Sequence, residues 1–340
     1  MIKIEKAKFK QFIDHLRNDF TVFAPTSDGH SAFGEVDSAE DVITDIQMTR
    51  KSPKEIFFPQ TEIIFKYDEG GIQTPENTNK PFAVWGVRPC DAKGLTLLDK
   101  VFGNAKQKPD DPYFQDPLWK VKYDNALIFT LACNAPASTC FCHWFNGSPF
   151  DREGSDVFVV DAGEVFLFEP VSDKGTAYIS KLKNRVQATE DDVARIKALK
   201  EEAESLLNES TDLKSLNSRL TKIWDEPVWD EISAKCINCA ACAFTCPTCH
   251  CFDVQDEGKR KRGKRIRTWD TCMFPIFTKE ASGHNPRSLS KDRVRQRVMH
   301  KFSYFFDSYD EFLCTGCGRC VQVCPVNLDI REVLKQILSL

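Results

Sequence analysis

Two stretches of the chain repeat one spacing of cysteines: Cys236-Ile-Asn-Cys239-Ala-Ala-Cys242-Ala-Phe-Thr-Cys246-Pro247 and Cys314-Thr-Gly-Cys317-Gly-Arg-Cys320-Val-Gln-Val-Cys324-Pro325. Both read C-x2-C-x2-C-x3-C-P, in which three thiolates wrap one [4Fe–4S] cube from a tight loop and the fourth reaches across to the other cube. The proline after the fourth cysteine fixes φ and turns the chain away from the site. The crossed rule assigns Cys236, Cys239, Cys242 and Cys324 to one cluster, and Cys314, Cys317, Cys320 and Cys246 to the other, so the runs predict two [4Fe–4S] clusters. A pair of four-cysteine zinc sites is the alternative. Zinc ligands come as cysteine pairs with longer gaps, however, and need neither a third cysteine at +3 nor a following proline.

Four further cysteines, Cys90, Cys133, Cys140 and Cys142, precede the first run. Four is the number a third cube requires, and the close spacing of the last two suits a loop gripping a metal. A zinc site, or inert or redox-active thiols, are the competing readings. Asp91, beside Cys90, is read as a cap for the helix starting at Ala92, or as a ligand in place of a thiolate. Cys249, Cys251 and Cys272 exceed the eight assigned thiols; they line the first cluster or substitute for one of its ligands. His250 reads as a packed or hydrogen-bonded residue.

The elements that position these groups are legible in part. Phe82-Ala-Val-Trp-Gly-Val87 and Ala126-Leu-Ile-Phe-Thr-Leu-Ala132 are short apolar runs that read as buried strands, delivering Cys90 and Cys133 at their C-terminal ends. Strand ends in an α/β layer are where sites are usually built. Phe9, Phe12, Ile13 and Leu16 mark an amphipathic helix, and 156–161 with 164–169 form a β-hairpin. From Thr189 two helical stripes follow, Val193 to Leu207 and Leu213 to Trp224, read as a bridge between halves. Roughly 70 residues separate the two cysteine runs, far more than in a compact ferredoxin. That insertion favours a helical dicluster type. The expectation is an α+β N-terminal domain (1–188), a helical bridge (189–225) and an all-α, helical-ferredoxin-like dicluster domain (226–340).

Length and charge bound the rest. A chain of 340 residues suggests about two domains, and a formal net charge of −4 argues against a nucleic-acid-binding protein as a whole. The basic run Lys259 to Arg267, followed by Arg287, Lys291, Arg293, Arg295, Arg297, His300 and Lys301, reads as a solvated face, a docking surface for an acidic partner or compensation for cluster charge; nucleic-acid binding is a further reading, with no interleaved aromatic platform behind it. No apolar stretch approaches a membrane span, and the charged N-terminus is no signal peptide, so a cytoplasmic protein is expected. Fifteen cysteines at metal-like spacings, in a reducing compartment, point to oxygen-labile centres and an anaerobic host. No dinucleotide or phosphate-loop fingerprint appears.

The segments Cys236 to Cys251, Trp269-Asp-Thr-Cys272, Gly283-His-Asn-Pro-Arg287, Arg293 to Phe302 and Cys314 to Asp329 resemble the β subunits of cytoplasmic sulfhydrogenases. They are also similar to the corresponding iron–sulfur subunits of anaerobic sulfite reductases and of flavin oxidoreductases coupled to heterodisulfide reductase. Gly86-Val-Arg-Pro-Cys-Asp91 and the Cys133, Cys140, Cys142 set look like the same family's first domain. The resemblance implies an electron-transfer subunit beside a flavin- and NAD(P)H-binding subunit carrying a [2Fe–2S] centre. Electrons would pass toward a hydrogenase, a siroheme sulfite reductase or a heterodisulfide reductase module. The competing reading, of a different class, is a metal-dependent enzyme with its own catalytic cluster in the N-terminal domain.

Overall fold

The computed structural model describes residues 1–26, 32–74, 81–103, 114–182 and 185–340. Its strands, in chain order, are β1 (Ile2–Glu5), β2 (Thr21–Thr26), β3 (Ala32–Glu35), β4 (Thr61–Asp68), β5 (Gly71–Gln73), β6 (Phe82–Val87), β7 (Ala126–Leu131), β8 (Val157–Asp161), β9 (Val165–Pro170), β10 (Val186–Gln187), β11 (Phe252–Lys259) and β12 (Arg262–Trp269). The larger sheet has eight strands in the order β10-β1-β9-β8-β7-β6-β2-β3. Its centre, β2-β6-β7-β8, is parallel, and its flanks are antiparallel.

The apolar runs occupy the middle of this sheet because both of their faces are covered, which is what a continuous apolar strand requires. On one face Trp85 of β6 meets the rings of Phe9, Phe12, Phe129, Phe166 and Phe168. Phe9, Phe12, Ile13 and Leu16 are the buried stripe of the helix Phe9–Asp19, at the predicted spacing. On the other face Val84 and Ile128 pack with Leu95 and Leu98 of the helix Pro89–Phe102 and with Trp119. The helix Glu190–Ser205 opens with the capping box of Thr189 and Asp192, and lays Leu199 and Ala203 on Phe158, Val160 and Leu167 of the sheet.

The expected fold class is overturned here. The N-terminal half is a mixed α/β sheet with a parallel centre, and the region after residue 226 is not all-α. Residues 252–269 form a β-hairpin whose second strand, β12, pairs antiparallel with β4 nearly two hundred residues earlier. The smaller sheet therefore runs β11-β12-β4-β5 and stitches the two halves together. Its alternation is hidden in the sequence because β11 is an edge strand with all eight residues exposed, so no apolar face marks it. The basic run sits on this hairpin, where Arg265 faces Asp256 at 2.8 Å and Lys264 faces Glu257 at 2.9 Å across the strands. Cross-strand pairs of opposite charge are the local reason that so polar a segment holds a strand.

A second core binds the halves from the other side. Phe141, Trp144 and Phe145, from the loop after β7, pack among Leu216, Leu220, Trp229, Met299, Phe302, Leu334 and Ile337. Among the described residues no helix is long and apolar enough to cross a membrane.

Arg267 is the charged anchor of the seam between β12 and β4. Its guanidinium binds Glu62 at 2.6 Å and Asp116, with 4% of the side chain exposed. Removing one partner of a buried ion pair leaves an uncompensated charge, so Arg267→Ala is expected to destabilise the protein by about 3–5 kcal/mol in chemical denaturation. The exposed Ile72→Ala on β5 is the control, expected within about 0.5 kcal/mol of the parent.

Candidate metal centres

The two cysteine runs fold alike. In each, the residue two after the first cysteine and the residue four after it have positive φ: Asn238 and Ala240 in the first run, Gly316 and Gly318 in the second. Left-handed residues at these places curl the loop back on itself before a short helix, Ala241–Phe244 or Arg319–Gln322, carries the third cysteine. Ala240, with φ at 64°, takes a conformation that costs an L-residue about 1–2 kcal/mol.

The loops enclose two cavities. The first is lined by Cys236, Cys239, Cys242 and Cys324, together with Met273, Val294 and Arg297. The second is lined by Cys246, Cys314, Cys317 and Cys320, together with Phe302, Arg297 and Lys301. The second cavity joins three cysteines of the second run to Cys246 of the first, whereas the first cavity meets both Cys320 and Cys324 of the second run. Cys320 borders both cavities. The first reaches the surface, where Cys239 is exposed and Ile237 is 61% exposed.

Burial favours the protonated thiol at four of these eight positions. It pushes Cys314 up to about 12 and raises Cys236, Cys317 and Cys320 as well. Metal ligands are thiolates, so a cation must enter with the ligand set. The surrounding charge suits a guest that is negative overall. Lys301, 3% exposed, donates from Nζ to Cys246 Sγ at 3.3 Å, Thr248 Oγ1 at 2.9 Å and the Leu313 carbonyl at 3.0 Å. Lys54, 2% exposed, donates to the Cys249 carbonyl at 2.7 Å and lies 4.0 Å from the Trp269 ring centroid. Arg297 is buried, and its Nε has no hydrogen-bond partner. Among the described residues none of the three meets a carboxylate. Buried charges are normally paired, and an iron–sulfur cube with four thiolates is the anion that fits them.

Cys249, Cys251 and Cys272 lie under the same cations. Cys249 hydrogen-bonds to Cys246, holding Cys246 low, and Cys272 hydrogen-bonds to Cys251, holding it at about 6. His250 is packed, as its sequence context suggested: Nδ1 lies 3.0 Å from the Thr248 carbonyl, its ring is 5.3 Å from that of His300, and burial lowers it to about 4.

The four N-terminal cysteines come from separate elements to one neighbourhood. Cys133 lines a cleft with Arg88, Asn134 and Asp161 at the C-terminal end of β7. Cys140 and Cys142 are on the loop beyond, each within electrostatic reach of Cys133, while Cys90, at the start of the helix Pro89–Phe102, feels Cys140 and Cys317. Burial lifts Cys140 and Cys142 to about 12. This neighbourhood abuts the second cavity. The Phe141 N–H donates to the Gly316 carbonyl at 2.8 Å, and Cys140 Sγ to the Cys317 carbonyl at 3.7 Å. A Cβ on Gly316 would lie 2.3 Å from the Phe141 carbonyl oxygen, so the two loops touch backbone to backbone.

Arg319 and Asp91 are the functional pair that sequence reasoning missed. Asp91 is not a cap: it lies inside the first helical turn and receives both ends of the Arg319 guanidinium, at 2.6 and 2.8 Å, with each side chain 1% exposed. Arg319 Nε also donates to the Thr49 carbonyl at 2.8 Å. The pair lies between Cys90 and Cys317, and both carboxylate oxygens are engaged by arginine. Its only signal in the sequence is an arginine inside a cysteine run. Asp91→Asn would strand that guanidinium and is expected to cost about 3–5 kcal/mol, measured by denaturation under anaerobic conditions.

Comparison with known proteins agrees with this arrangement. Residues 235–328 match the 4Fe-4S dicluster domain family. The chain is also 29% identical, over 99% of its own length and 98% of the relative's, to the sulfhydrogenase 2 subunit beta of Pyrococcus furiosus. No solved structure matches it. Residues 235–328 are therefore a 4Fe–4S dicluster domain, within a chain similar from end to end to a sulfhydrogenase β subunit.

Proposed function

We propose that this chain is the electron-relay subunit of a multi-subunit oxidoreductase, standing between a flavin- and NAD(P)H-binding subunit with a [2Fe–2S] centre and a catalytic module. Among hydrogenase, siroheme sulfite reductase and heterodisulfide reductase modules, the name of the Pyrococcus furiosus relative favours the hydrogenase. The observation that carries the reading is the meeting of two cysteine-lined cavities, sharing Cys320, with buried cations that meet no carboxylate among the described residues.

The proposed ligands are Cys236, Cys239, Cys242 and Cys324 for one cluster, and Cys314, Cys317, Cys320 and Cys246 for the other. A [4Fe–4S] cube, when bound, takes up and returns a single electron. The protein's part is to hold and tune. The left-handed turns at Asn238, Ala240, Gly316 and Gly318 set the thiols around each cavity. Met273, Val294, Val298 and Phe302 keep water from the inner walls. Lys301 and Arg297 supply positive charge, which favours the more reduced state.

A third cluster on Cys90, Cys133, Cys140 and Cys142 completes the proposal. Its support is the convergence of these thiols and their backbone contact with the loop of the second cavity. Substrate chemistry is assigned to the partner module.

Anaerobic purification followed by iron and acid-labile sulfide analysis tests the reading. About twelve irons per chain are expected, eight from the two runs and four from the third site. Cys140→Ser is expected to remove about four of them, whereas Cys239→Ser should disturb one cluster of the dicluster domain. A count that is unchanged in Cys140→Ser ends the third site. An iron-free, colourless protein that still works in its complex ends the whole proposal.

A further inference from the structure

Arg293, Arg297 and Lys301 recur every four residues, and all three are buried. Two of them have protein partners. Arg293 donates from Nη1 to the Arg287 and Ser288 carbonyls, both at 2.8 Å, and Lys301 has the three acceptors already described. Arg295, on another face of the same helix, reaches the Trp224 carbonyl at 2.8 Å and Asp292 at 3.3 Å. All three arginines bury an Nε without a partner, but Arg293 and Arg295 each bond through a terminal nitrogen, whereas among the described residues the Arg297 guanidinium meets no acceptor.

Its position explains why such a group is tolerated. Arg297 is the only charged side chain among the described residues lining the first cavity, and it also lines the second, where Lys301 joins it. It therefore stands in the wall between the two sets of thiols, next to Cys320, which borders both. We propose that Arg297 is a shared electrostatic bridge, a single buried charge that faces both clusters and raises their two reduction potentials together, while Lys301 acts on the second alone. The inference rests on the dicluster reading above and adds a named residue to it.

The chemistry requires no bond change and no proton transfer. Each cluster with its thiolates carries net negative charge that grows on reduction, and a nearby cation stabilises the reduced form. Water cannot screen a charge held in this wall as it screens an exposed one. A guanidinium keeps its proton in a protein interior, so Arg297 carries its charge into the wall. A common cation also serves to keep the two potentials matched: whatever moves it moves both.

The test is an EPR-monitored redox titration of the full chain, purified without oxygen, with iron and sulfide counted in each preparation. Arg297→Gln is expected to shift both couples of the dicluster domain to more negative potential by similar amounts at unchanged iron content. Lys301→Gln should shift one couple. Arg297→Lys, which keeps the charge on a shorter, differently shaped head, should return both couples part of the way. If the glutamine variant loses iron, the lysine variant is decisive, because a smaller shift of both couples in the same direction supports the bridge. A shift confined to one couple, or none, in a variant with its full iron overturns it. Wild-type protein with too few irons would instead bring down the dicluster reading itself, so the two failures are distinguishable.

Discussion

Positive charge sealed away from water, with no carboxylate beside it, is the constraint around which this molecule is arranged. Arg297, Lys301 and Lys54 would each be costly to bury alone, and each lies against a cysteine or the wall of a cysteine-lined cavity. The thiols are caught in the complementary position: burial forces them toward their neutral form. Cations and thiols are each uncomfortable without a group that contributes iron to one and negative charge to the other. Folding and cluster acquisition are therefore linked, since the interior of the C-terminal half is electrostatically complete only with its cofactors.

The buried Asp91–Arg319 pair follows a different logic. It is self-neutralised, with both oxygens and the guanidinium engaged, and it joins the helix after β6 to the loop of the second run. Such a pair adds little net stability over an apolar contact, but it is costly to break by halves. Its value is positional, because it holds the Cys90 region in register with Cys317. Together with the Phe141 to Gly316 hydrogen bond and the β4–β12 seam, it ties the two halves to each other around the second cysteine run.

Local signals were legible, and distant ones were not. The cysteine runs, the strands β6 and β7, the β8–β9 hairpin and the stripe of Phe9, Phe12, Ile13 and Leu16 are written within a few residues of one another. The sequence could not show that Lys54 would meet Cys249, 195 positions away, or that Asp91 would meet Arg319 across 228. Both links depend on tertiary packing. The basic run misled for another reason. It lies on the last residue of β11, the turn and β12, and β11 is an edge strand with every residue exposed, so no apolar alternation marks the pair and charge dominates the reading. Arg297 was visible only as one more member of that basic texture, and its cavity-wall position separates it from its neighbours.

The hairpin has a consequence for how the protein keeps company with itself. Among the described residues β11 has no neighbouring strand on its outer rim, an open row of amide and carbonyl groups to which another extended segment could add. Asp253, Asp256, Glu257 and Lys259 stand along that rim, all exposed. Crowding like charges from a second copy beside them would be unfavourable, so the rim resists zippering into aggregates. The most exposed strand thus carries its own deterrent against indiscriminate assembly.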